Sequence, residues 1–115
     1  MDDLNLTAKK CTPCQGGVPP MSCDIAERYI TDVPGWELLE NATKVKRTYK
    51  FNNFKDALSF TQKVGELCEA EGHHPDITVG WGYAKVVFQT HKINGLHEND
   101  FIMAAKVNEL AANAH

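Results

Sequence analysis

Two runs of strand character, DITVGWG and YAKVVFQTH, follow one another between Asp76 and His91 with no segment between them long enough to cross back over a sheet. A parallel pair needs a crossover of about a dozen residues or more, so these two can pair only as an antiparallel hairpin. The same constraint recurs upstream, where WELLEN is followed at once by KVKRTYKFN. If the second run is extended, Val45, Arg47, Tyr49 and Phe51 share one face. Between the two pairs, FKDALSFTQKVGELCEAEG sets Phe54, Ala57, Leu58, Thr61, Val64, Leu67 and Cys68 on an amphipathic helical stripe. Asn53 is its N-cap, with Asp56 three residues on, and Gly72 its stop. Ser22 caps a shorter helix over CDIAERYIT that Pro34 and Gly35 bring to an end. In the last segment, INGLHENDFIMAAKVNELAANA, Gly95 marks the approach, and Ile102, Ala105, Val107, Leu110 and Ala111 recur at helical spacing. The order helix, two strands, helix, two strands, helix predicts an α+β domain: a four-stranded antiparallel sheet with three helices on one face.

A chain of 115 residues, 43% of them hydrophobic, suffices for one core and not for two. Residues 22–115 read as that single domain. Residues 1–21 read as an irregular arm, because KKCTPCQGGVPPM crowds Gly, Pro and Cys together without any period. A formal net charge of −3 supplies no basic field for nucleic acid or an anionic membrane surface, so neither is an expected partner. MDDLNLTAKK lacks the apolar run of a signal peptide, and no stretch approaches the roughly twenty apolar residues needed to span a bilayer. The expectation is a cytoplasmic protein whose Cys11, Cys14, Cys23 and Cys68 are free thiols.

Three of the five histidines stand at the two ends of one segment, EGHHPDITVGWGYAKVVFQTH. Pro75 disfavours the helical region for His74 and pushes it towards an extended conformation, in which His73 and His74 point to opposite sides. His91 is read as ending the second strand of the hairpin, and antiparallel pairing then sets it beside the pair. Glu69 lies four residues before His73 near the helix end, and Asp100 nine residues after His91, early in the last helix. Imidazoles titrate near neutrality, so the chemistry this group suggests is proton transfer. Plainer roles compete with each assignment. A histidine in a turn is an ordinary hydrogen-bonding residue, and Glu69 fits a solvated helix position. Asp100 falls at the third helical position if His97 is the N-cap, where a carboxylate reaches back to the cap amide.

Taken together, Glu69, His73-His74-Pro75, Thr90-His91, Gly95-Leu96 and Asp100 resemble the signature of the pterin-4a-carbinolamine dehydratases. The similarity runs from about Ser22 to Asn113 and takes in PGW at Pro34 to Trp36. It implies the fold reached above from strand spacing. It also implies removal of water from a 4a-hydroxytetrahydropterin to give the quinonoid dihydropterin, in the recycling of the cofactor of aromatic amino acid hydroxylases. By the same resemblance His73, His74 and His91 are the catalytic residues, with His73 and His91 as the acid/base pair and His74 chiefly holding substrate. Glu69, His74, Pro75 and Asp100 bind the pterin, and no metal or other cofactor is needed. The implied partners are the tetrahydropterin, possible contact with an aromatic amino acid hydroxylase, and further copies of the chain in a homodimer or homotetramer. The sequence departs from the expected pattern at His97, where Ser or Thr would be the usual cap, and at Ile77, where some relatives carry an aromatic residue.

Two other readings use the same residues. Three histidines with nearby carboxylates could hold zinc or iron(II), and Cys11, Cys14 and Cys23 supply three-quarters of a zinc ligand set, although the opposed directions of His73 and His74 and the missing fourth cysteine oppose this. The chain could also be a non-catalytic dimerisation and coactivator module, since animal members of the resembled family also act as dimerisation partners of a transcription factor. Replacing the histidines would then leave its function intact.

Overall fold

The computed structural model describes residues 6–8 and 19–114. Cys11 and Cys14 therefore lie outside the described residues. Helix α1 (Cys23–Ile30) begins at Ser22, whose Oγ accepts the Ile25 N–H at 3.3 Å, and helix α2 (Phe54–Glu71) at Asn53, whose Oδ1 accepts the Asp56 N–H at 2.8 Å. These are the two capping positions expected from the sequence. Strands β1 (Glu37–Leu39) and β2 (Lys44–Lys50) form one hairpin, β3 (Asp76–Gly80) and β4 (Tyr83–Phe88) the other. Pairing of β2 with β4 joins them, so the sheet is antiparallel throughout with order β1-β2-β4-β3. Helix α3 (Glu98–Ala114) closes the chain.

One face of the sheet carries the core. Along β4, Ala84, Val86 and Phe88 are fully buried while Tyr83, Lys85 and Val87 are only partly covered, the alternation of a central strand with helices on one side. Helix α2 lies across β3 and β4, α3 across β2 and β4, and α1 beside β1. The buried stripe of α2 is Ala57, Phe60, Val64 and Cys68. Phe54 and Leu58, expected in that stripe, stand 43% and 47% exposed. Phe60 displaces them because its ring packs between Tyr49 and Phe51, at centroid distances of 4.9 and 5.1 Å. Along α3 the first turns are buried without interruption from Asn99 to Ala105, which makes it the central helix of the layer.

Within the segment read as an irregular arm, Leu6–Ala8 forms a 3-10 turn against α3, and Leu6 joins the core at 4% exposure. Among the described residues, no helix is long and apolar enough to cross a membrane.

Candidate active site

The end of α2 and the start of β3 fix the histidine pair. Gly72 takes the left-handed conformation, φ 70°, and its N–H donates to the carbonyls of Cys68 and Glu69. The His73 N–H donates to the Cys68 carbonyl at 3.1 Å, closing the glycine stop that ends many helices. Glu71, the last helical residue, is tied to α3 by Lys106 at 3.0 Å, with both side chains largely covered. His73 thus leaves a helix end that is anchored on two sides.

From that point the chain runs extended into β3, and the two imidazoles part. The His73 side chain is 12% exposed and its ring stacks on Phe88, with centroids 5.9 Å apart and planes 19° off parallel. The His74 side chain is 65% exposed, and its Nε2 lies 2.7 Å from Glu69 Oε1. Glu69 therefore meets His74, on the outer side, and not His73.

Asp100 is where the inner residues converge. It is fully buried, and its Oδ1 lies 2.6 Å from His73 Nε2. Its Oδ2 accepts the Thr90 hydroxyl at 2.8 Å and the His97 N–H at 3.0 Å. The second contact is the reach-back of a capping box, so one carboxylate caps α3 and holds a histidine together. Capping the helix does not keep Asp100 from touching the histidine. A carboxylate only accepts, so His73 donates Nε2–H to it and neutral His73 keeps Nδ1 as its acceptor atom. His97 is the cap as expected, and an effective one, since its Nδ1 accepts the Asn99 N–H at 3.1 Å. Its imidazole thus fills the place that Ser or Thr would usually take.

His91 stands differently from the expectation. Strand β4 ends at Phe88, and Thr90 forms an isolated bridge with Gly95; His91 opens the 3-10 turn His91–Ile93 inside that small loop and is exposed. The β3–β4 register, in which Asp76 faces Val87, extrapolates by three residues to set His73 opposite Thr90, one residue before His91. The shared hydrogen bonds of His73 and Thr90 to Asp100 agree with that placement. Pro75, half-buried, separates His74 from β3.

Three residues of this arrangement had no assigned role in the sequence reading: Thr90 as a donor to Asp100, Phe88 as the platform under His73, and Lys106 as the tie to Glu71. The alternation of β4 marks Phe88 as inward, and Thr90 follows at the same parity. Nothing in the sequence marks Lys106. Among the described residues, no group of three or more His, Cys, Asp or Glu side chains is gathered in a way that could hold a metal ion.

Known proteins resemble this chain over nearly its whole length. A family model described as pterin 4 alpha carbinolamine dehydratase matches residues 19–110. A protein of Methylococcus capsulatus that carries the provisional name pterin-4-alpha-carbinolamine dehydratase is 69% identical over 114 residues, spanning 99% of this chain and 100% of its own. One of Halorhodospira halophila under the same provisional name is 58% identical, over 95% of this chain and 100% of its own. Among solved structures, a transcriptional coactivator/pterin dehydratase from Brucella melitensis superposes with a TM-score of 0.75 at 26% identity, over 80% of this chain and 98% of that one. A pterin dehydratase-like protein described as a RuBisCO assembly factor in the alpha-carboxysome shares the fold, with a TM-score of 0.58 at 22% identity over 67% of this chain and 89% of that one.

Proposed function

We propose, since the chain belongs to the pterin 4 alpha carbinolamine dehydratase family, that it eliminates water from a 4a-hydroxytetrahydropterin and that His73 and His91 carry the proton transfers. The substrate bears its hydroxyl on a carbon bonded to an N–H nitrogen. Elimination breaks the C–O and N–H bonds, forms C=N and releases water, giving the quinonoid dihydropterin. The nitrogen supplies the electron pair that expels the leaving group, so the protein has two tasks: protonate the oxygen and remove the nitrogen's proton.

The buried Asp100 carboxylate 2.6 Å behind His73 is the observation that carries this reading. It holds the ring by Nε2–H and leaves Nδ1 as the proton acceptor, the arrangement by which a carboxylate orients an imidazole base. His73 is then the base at nitrogen, and His91, exposed on the loop beside it, the acid at the hydroxyl. The cycle leaves His73 protonated and His91 neutral, and exchange with water resets both. His74, with Glu69 against its Nε2, and Pro75 line the substrate-binding side, while Asp100 acts on the pterin through His73. Acid–base assistance of this kind is worth about 10² to 10⁴ in rate. The hydroxylated pterin would come from an aromatic amino acid hydroxylase in the same cytoplasm. β1 and β3 each have a sheet neighbour on one side only among the described residues, an edge suited to homodimer or homotetramer formation.

Purified protein should accelerate the dehydration, followed by the pterin's absorbance. His73→Ala combined with His91→Ala should abolish the acceleration while circular dichroism shows the fold retained. Activity surviving in that folded double variant would refute the roles given to the two imidazoles.

A further inference from the structure

Asp100 can orient His73 only if the carboxylate is itself held, and one residue that holds it also shapes the loop bearing His91. Thr90 is 3% exposed. Its N–H donates to the Gly95 carbonyl at 2.9 Å, and its carbonyl accepts the N–H groups of Ile93 at 3.2 Å and Gly95 at 3.4 Å, which closes the loop around His91. Its hydroxyl donates to Asp100 Oδ2 at 2.8 Å. The other donor to that oxygen, the His97 N–H at 3.0 Å, belongs to the helix cap. With the His97 N–H alone behind Oδ2, the carboxylate plane would depend on a broad, two-fold torsion and on the very ring it has to aim. Two donors arriving on Oδ2 from separate elements, the loop after β4 and the start of α3, fix its plane and aim Oδ1 at His73.

Resting on the dehydratase reading above, we infer that Thr90 is a positioning residue: through Asp100 its hydroxyl holds neutral His73 as the Nε2–H tautomer, while its backbone places His91. Thr90 touches no reacting atom in this scheme. It couples the base and the acid to one buried side chain, so that loss of the hydroxyl loosens the base without altering any group that meets the pterin.

The test compares Thr90→Val, which keeps the branched shape and deletes the hydroxyl, with Thr90→Ser, which restores it. Nitrogen-15 NMR of the ring at mildly alkaline pH, without substrate, reports the tautomer directly. The wild type and Thr90→Ser should each show His73 as a single Nε2–H form, and Thr90→Val a mixture. In the dehydration assay Thr90→Val should lower kcat by about tenfold to a hundredfold, a part of the whole acid–base contribution, with KM little changed, and Thr90→Ser should recover most of the loss. A single tautomer with full kcat in Thr90→Val would overturn the inference. So would a mixed tautomer in Thr90→Ser, a result that remains readable if the valine variant does not fold. Because the NMR measurement needs no turnover, an inactive wild type would count against the dehydratase reading alone.

Discussion

Helix α3 carries two polar hubs eight residues apart, and the contrast between them bears on the proposed chemistry. At its start, Asp100 gathers the His73 ring, the Thr90 hydroxyl and the His97 amide. Two turns on, the Asn108 Oδ1 accepts Trp36 Nε1–H at 2.9 Å, an Arg47 guanidinium N–H at 2.8 Å and the Tyr49 hydroxyl at 2.5 Å. The Asn108 amide N–H and Arg47 both donate to the Pro34 carbonyl as well, at 3.0 and 2.7 Å. Each hub collects three donors on one α3 side chain. The Asn108 hub joins α3 to β2 and to the Pro34–Trp36 turn, and every group in it has fixed protonation near neutrality. The Asp100 hub includes an imidazole whose Nδ1 takes no part in the hub. Near neutral pH an imidazole can take up or release a proton, so of the two hubs the one at Asp100 is the one suited to the chemistry proposed above.

The sharpest way to break the comparison is to remove each hub in turn. Asp100→Asn should lower kcat/KM by about 10² to 10⁴, because the amide can present an N–H to His73 and oppose the required tautomer. Asn108→Ala should leave kcat/KM of the folded protein nearly unchanged and cost about 2 to 4 kcal/mol of stability, since it strands donors from Trp36, Arg47 and Tyr49 at once. Assay and urea titration on the same preparations decide the matter. If Asn108→Ala lost activity as steeply as Asp100→Asn without unfolding, the division between the hubs would not hold.

The two hubs were unequally legible in the sequence. The Asp100 hub announced itself because Pro75 forces an extended chain at His74, the hairpin fixes which strand ends meet, and position three of a capped helix predicts where a carboxylate reaches. What the sequence left open was whether Asp100 capped the helix or kept company with the histidines, and one carboxylate makes both contacts, because the helix start lies at the mouth of the hairpin. His91 was misplaced onto a strand: the bridge between Thr90 and Gly95 is set by a loop closure with no periodic signal. Of the Asn108 hub, only the shared face of Arg47 and Tyr49 was visible. An asparagine late in a helix reads as solvated, and its hydrogen bonding to residues more than fifty positions away is a tertiary fact. The α2 stripe was drawn too wide for the same reason. Period alone admitted Phe54 and Leu58, and only the aromatic packing of Phe60 selects the inward side.

A finer probe of the Asn108 hub is its phenol. Burial pushes the Tyr49 pKa up from 10.0 to about 12, against the lowering effects of the Arg47 charge and of hydrogen bonding. Between those two values the unfolded chain has released a proton that the folded chain retains, so this contribution is whole below about pH 10 and is lost as the pH rises towards 12. The shift corresponds to about 2 to 3 kcal/mol across the window. Tyr49→Phe should therefore fall less steeply than the wild type when urea midpoints are compared over the same alkaline range. At neutral pH it should cost only about 1 kcal/mol, because Asn108 keeps its other two donors. Parallel alkaline curves for the two proteins would show that the buried phenol has no such share.

The smallest differences come from a glycine at each hub, both at positive φ. Gly35, φ 88°, lies in the Pro34–Trp36 turn, and a Cβ there would stand 2.5 Å from the Arg47 Cζ. Gly72, φ 70°, ends α2 just before His73, and a Cβ there would meet nothing within 4 Å. Alanine at Gly72 carries only the conformational cost of a left-handed residue, about 1 kcal/mol. At Gly35 the same cost is joined by a collision with a guanidinium that cannot simply swing away, being held by Pro34, Asn108 and the Tyr49 ring 4.5 Å below it. The total there should reach about 2 to 3 kcal/mol. Thermal unfolding of the two variants should place Gly35→Ala clearly below Gly72→Ala, and activity should reverse the order. Gly72→Ala perturbs the turn that aims His73, so it should lose more of kcat than of stability, while Gly35→Ala should do the opposite. Equal losses of stability would mean that Arg47 gives way freely and that the Asn108 hub is looser than its hydrogen bonds indicate.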